Sequence, residues 1–135
     1  MNLVLDASTT LTWAFDDEGD EESDRILGLL RDVSAVVPPL WELEVANGLA
    51  VAVRRGRMES VEAARFARLV LALPIAVEPA QRGRPLDAVL RLAERHGLSV
   101  YDASYLDLAL RYRIPLATRD RSLARAAAAE SVPAA

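Results

Sequence analysis

Four acidic residues from four distant parts of the 135-residue chain, Asp6, Glu44, Asp102 and Asp120, fall where one sheet edge can gather them. Asp6 ends the apolar run Asn2-Leu-Val-Leu-Asp6, a pattern that suits a strand buried on both faces. Asp120 lies two residues past a second such run, Ile114 to Thr118. Asp102 opens the helix leading into that run, and Glu44 lies one turn into the helix after Pro38-Pro39. Asn47, three residues beyond Glu44, shares its helix face. Carboxylates gathered this way repel one another, and a fold carries them only beside a neutralising cation. Hard oxygen ligands select Mg2+ or Mn2+ rather than zinc. The matching chemistry is phosphodiester hydrolysis, in which a divalent ion activates a water and offsets charge on phosphate and leaving oxygen.

The elements that must position these acids alternate along the chain. After the first strand, Ser8 to Phe15 reads as a short helix and Asp16 to Glu22 as an acidic loop. A second helix places Ile26, Leu29 and Leu30 on one face, and Ala35 to Val37 forms a second strand stopped by Pro38-Pro39. Leu40 to Arg55 is a long apolar helix closed by Gly56, and Ser60 caps the next, which runs to about Leu73. Pro74-Ile-Ala-Val-Glu-Pro79 is a third strand candidate between prolines; Arg84 to His96 is helical and ends at Gly97. A helix from about Tyr101 to Tyr112, the Ile114 strand and a helix from Arg121 to Ala129 complete the order, with an edge strand possible at Val132. Strands separated by helices imply parallel pairing and right-handed crossovers. The expected fold is therefore an α/β protein, a three-layer α/β/α sandwich around a central parallel sheet of four or five strands, in one domain spanning residues 1–135. Ligands of such sheets bind beyond the carboxyl ends of the strands, where the acids fall.

Composition narrows the chemistry further. There is no cysteine, so disulfides, thiolate metal sites and cysteine nucleophiles are excluded. All 16 basic residues are arginine; the chain has no lysine. A phosphoacceptor receiver domain shares the size, layers and acidic rim, and like haloacid-dehalogenase phosphatases it sets a lysine against the phosphoryl group, so both rivals fall away. The net charge of −4 has the wrong sign for bulk attraction to nucleic acid. Setting four metal-bound carboxylates aside leaves −4 + 4 = 0, and a local arginine patch then suffices for phosphate. No signal segment or bilayer-length apolar run is seen, which points to a cytoplasmic protein with no membrane partner.

Each acid also has a plainer reading. Asp6 and Asp120 can serve as helix caps, with Ser8 an equally good cap for the first helix. Asp102 suits a helix N-terminus electrostatically. Glu44 reads plainly as a rim-exposed helix acid, but its neighbours Leu43, Val45 and Ala46 are apolar and an unpaired glutamate among them is costly; its competitor Glu42 points to a different face. His96, the sole histidine, precedes Gly97 at a helix end and reads as structural. Trp13, Trp41, Tyr101 and Tyr105 read as core or dimer contacts, and Arg54, Arg55 and Arg57 as a solvated helix end.

Four segments decide between these readings. Val4-Leu-Asp-Ala-Ser8, Pro39-Leu-Trp-Glu-Leu-Glu-Val-Ala-Asn-Gly-Leu49, Leu98-Ser-Val-Tyr-Asp-Ala-Ser-Tyr-Leu106 and Leu116-Ala-Thr-Arg-Asp120 resemble, in order and spacing, the motifs of the PIN-domain family. The resemblance is strongest to the VapC toxins of toxin–antitoxin pairs and covers nearly the whole chain. It implies a Mg2+- or Mn2+-dependent endoribonuclease that cleaves structured RNA such as tRNA or rRNA, forms a homodimer and is held inactive by a VapB-like antitoxin. Carried over residue by residue, the family's catalytic and metal-binding acids correspond to Asp6, Glu44, Asp102 and Asp120, and its polar helpers to Ser8, Asn47 and Thr118. A processing nuclease, or a PIN fold that only binds partners, are the alternatives; the second predicts eroded acids, and all four are present.

Overall fold

A computed structural model describes all residues from Met1 to Ala135. Its elements are β1 (Leu3–Leu5), α1 (Ala7–Thr12), α2 (Glu21–Leu29), β2 (Ala35–Val37), α3 (Leu40–Arg54), α4 (Ser60–Leu71), β3 (Ile75–Val77), a π-turn (Pro85–Val89) running into α5 (Leu90–His96), α6 (Val100–Tyr112), β4 (Leu116–Ala117) and α7 (Arg121–Ala129).

The strands form one sheet in the order β3-β2-β1-β4, and every pairing is parallel. Val4 stands in register between Val36 on one side and Leu116 on the other. Chain order therefore runs one way across the sheet from β1 to β3, then returns past β1 to β4. With right-handed crossovers, this reversal sends α1–α4 to one face and α5–α6 to the other, which makes the three layers. The strands are short and apolar because both faces are covered: Val4, Leu5, Ala35, Val36 and Val37 are wholly buried. No helix is long and apolar enough to cross a membrane.

Several boundaries move from their sequence-based positions. Glu59, not Ser60, occupies the N-cap position of α4, and its backbone N–H donates to the Glu62 side chain at 3.3 Å. The fourth strand shrinks to two residues. The expected edge strand at Val132 is reduced to a single parallel bridge between Leu116 and Ala134, so the sheet has four strands and not five. Pro133 accounts for this, since it has no N–H to give a ladder. Gly56 and Gly97 both take left-handed backbone angles after their helices, as their positions foretold. His96 is structural: its Nε2 lies 2.7 Å from Glu130 Oε1 and ties α5 to the end of α7.

Candidate active site

The reversal of chain direction lies between β1 and β4, and in open parallel sheets that crevice is the ligand site. Asp6 follows β1 there, and Thr118 follows β4. Asp6 sits at the N-cap position of α1 yet makes no capping bond with its side chain. Its Oδ2 instead accepts hydrogen bonds from the Ser8 hydroxyl and the Thr118 hydroxyl, each at 2.6 Å. Ser8 in turn accepts the Arg119 N–H at 3.0 Å, and Thr118 accepts the Asp120 N–H at 3.0 Å. Ser8 and Thr118, 110 positions apart, thus fix one carboxylate, and both belong to the sequence-derived site.

Asp6 is only 4% exposed, and no arginine pairs with it. Burial raises its pKa above the usual carboxylate value; the Ser8 and Thr118 hydroxyls oppose that rise, and the charge of Asp120 adds to it. Glu44, half-buried on α3, is also shifted up, by burial first and then by Asp6 and Asp102. Asp102 rises for the same first reason, with Asp120 and Asp6 as the neighbouring charges. Each of these acids therefore feels the field of others on the rim. None of the ten ion pairs in the protein involves Asp6, Glu44, Asp102 or Asp120.

Capping accounts for part of the rim. Asp120 does cap α7, its Oδ1 accepting the Leu123 N–H at 2.8 Å, so its plainer reading is real as well. That bond uses one oxygen and leaves Oδ2 unengaged. Asp102 is not a cap: Ser99 Oγ holds that position by accepting the Asp102 N–H at 3.1 Å, which frees the Asp102 carboxylate. Asn47 is exposed on the turn of α3 after Glu44 and takes no part in the hydrogen bonds around Asp6.

One member of the site went unrecognised in the sequence. Tyr105, placed there among core or dimer contacts, is wholly buried, and its hydroxyl donates to Glu44 Oε1 at 2.5 Å. Burial and that acceptor hold the phenol far above the ordinary tyrosine range, so it remains a donor. The signal was present: Tyr105 is three residues from Asp102, hence on its helix face, and a buried tyrosine hydroxyl needs a partner. Tyr101 proves exposed, whereas Trp41 is core and donates from Nε1 to Thr10 Oγ1 at 3.3 Å.

The donor set is all oxygen, anionic and free of protein cations, which suits a hard divalent ion. No three His, Asp or Glu side chains stand close enough to hold a metal ion by themselves. The four carboxylates thus share a rim and feel one another's charge without forming a ready-made ligand set.

The relatives agree with this architecture. The PIN-domain family model matches residues 3–129. The curated protein Ribonuclease VapC3 of Pyrobaculum aerophilum is 32% identical over 124 residues, covering 92% of this chain and 93% of that protein. Among solved structures, PAE2754 from the same organism superposes with a TM-score of 0.73 at 26% identity, over 93% of this chain and 84% of the other. Mycobacterium tuberculosis VapC20, described as a Sarcin-Ricin loop cleaving toxin, shares the fold with a TM-score of 0.66 at 16% identity, covering 93% and 95% of the two chains. A parallel sheet with an acidic crevice at its point of reversal, and a family match over nearly its full length, make this chain a member of the PIN-domain family, of the VapC ribonuclease type.

Proposed function

We propose that the protein is a Mg2+- or Mn2+-dependent endoribonuclease that hydrolyses phosphodiester bonds in structured RNA such as tRNA or rRNA. The observation that carries this reading is Asp6, a buried carboxylate with no cationic partner, clamped by two hydroxyls and surrounded by other acids. Leaving such a group uncompensated is costly. A divalent ion bound there would remove that cost.

Asp6 is the anchoring ligand, and Ser8 and Thr118 aim it from two chain segments. Asp102 and the unengaged oxygen of Asp120 would help hold such an ion, directly or through water. Glu44, steadied by Tyr105, accepts a proton or orients a water on the α3 side of the crevice. A bound divalent ion lowers the pKa of an attacking water and neutralises charge on the phosphate and leaving oxygen. Ser8 and Thr118 donate to the same oxygen of Asp6, which leaves its Oδ1 without a side-chain donor.

The likeness to VapC proteins supports a toxin that acts in the cytoplasm as a homodimer and is silenced by a VapB-like antitoxin. Purified protein is expected to cut RNA with Mg2+ or Mn2+ and to stop in chelator. Asp6→Asn and Asp102→Asn are each expected to abolish cleavage with circular dichroism unchanged; full activity in either well-folded variant would sink the proposed site. Induction of the gene in cells should arrest growth, and Asp6→Asn should relieve the arrest.

A further inference from the structure

Beside the acidic crevice lies a second hollow, of about 480 Å3, which the hydrolytic chemistry leaves without a role. Arg55, Arg57 and Arg119 line it together with Phe15, Glu18 and Ser8. Ser8 joins the two places, since it lines this hollow and its hydroxyl donates to Asp6. Arg119 reinforces the join through its backbone N–H on Ser8.

The arginines are held in an informative way. Arg57 lays its guanidinium 4.2 Å from the centroid of the Phe15 ring and pairs with Asp17 at 3.2 Å and Glu18 at 3.6 Å. Arg119 pairs with Asp20. Arg55 is exposed and has no carboxylate partner. All three carboxylates therefore come from the short acidic segment between α1 and α2, and they lie on guanidinium groups at the mouth of the site. Such exposed ion pairs contribute little to folding, so another anion can displace them readily. Guanidinium groups match phosphate in shape and charge. A protein of net charge −4 that admits RNA to a cluster of acids also needs local positive charge next to them.

We infer that this arginine hollow seats the sugar–phosphate strand next to the scissile bond, and that Asp17, Glu18 and Asp20 stand in for its phosphates when RNA is absent. The inference rests on the ribonuclease reading and extends it, by naming the residues that hold substrate and an internal competitor for them.

The test separates binding from cleavage. Fluorescein-labelled oligo(U) RNA is titrated into the Asp6→Asn protein, which leaves the RNA intact, and anisotropy is followed across a range of salt concentrations. Adding Arg55→Ala or Arg57→Ala is expected to weaken binding about fivefold and to lower the slope of log K against log salt by about 0.7 for each phosphate no longer neutralised. Arg55 has no partner in the fold, so its removal leaves the structure undisturbed. Asp17→Asn with Glu18→Gln is expected to tighten binding, an outcome that a merely structural role for the loop would not give. Unchanged slopes in both arginine variants, no tightening in the acidic-loop variant, or no binding of the oligonucleotide at all would each overturn the inference. The ribonuclease reading is checked apart from this, by whether the unmodified protein cuts tRNA or rRNA with Mn2+.

Discussion

Tyr105 on α6 reaches across the crevice to Glu44 on α3, its hydroxyl donating to Oε1 at 2.5 Å. The two residues come from helices on opposite faces of the sheet, so this bond spans the layers above the strand ends and sets where Glu44 can point. Its effect on Glu44 is to lower the pKa against the larger upward push of burial.

Tyr105→Phe removes that opposing effect, so Glu44 should titrate higher still. The acid limb of the pH–rate profile is expected to move to higher pH, with a loss of about 1 kcal/mol in stability from the missing hydrogen bond. A pH–rate series on both proteins checks this; superimposable acid limbs would remove Glu44 from the chemistry.

Thr118→Val deletes the donor to Asp6 and the acceptor of the Asp120 N–H in one step. Groups that orient a metal ligand typically matter by about 10–100-fold in metal affinity or activity, and a fall of that size is expected. Thr118→Ser keeps the hydroxyl and should restore most of the rate. Equal damage by both substitutions would point to packing instead.

The raised pKa values of Asp6, Glu44 and Asp102 also have a stability consequence. An acid whose folded pKa exceeds its unfolded value binds more protons folded, so stability falls as pH rises through the folded pKa. In chelator at pH above that range, Asp102→Asn is therefore expected to melt a few degrees higher than the unmodified protein. The gap should close on acidification, as the native carboxyl takes up its proton. Millimolar Mn2+ should raise the melting temperature of the unmodified protein and do less for the variant. Calorimetry with and without metal measures both effects.

Arg84→Ala is the structural counterpart. Arg84 makes two bonds of 2.7 Å to Asp107, which is 4% exposed, and Arg111 adds a third bond at 3.1 Å. Removing Arg84 leaves Asp107 half-compensated, and a loss on the order of 2 kcal/mol is expected. No hydrogen bond or ion pair connects this network to the four rim acids, so cleavage below the melting transition should persist.

What could be read from the residues alone was local pattern and order. The apolar run before Asp6, the proline stop at Pro38-Pro39, and the glycines after α3 and α5 act over a few neighbours, and each sits where its chemistry implied. Alternation of strand and helix gave the parallel sheet, and the acids at element ends marked its carboxyl edge. Strand length was less legible, because two-residue β4 and the lone bridge at Ala134 depend on which backbone groups find partners across the sheet.

Tertiary structure alone decided the pairings. Periodicity in α6 puts Tyr105 on the face of Asp102 but could not name its partner, which is Glu44, 61 positions earlier. Nor could it divide the caps, which fell to Ser99 and Asp120, from the carboxylates of Asp6 and Asp102 left free for chemistry. A residue's type states which bonds it can make. Only the folded chain, by bringing distant segments within hydrogen-bond reach, determines which of them it does make.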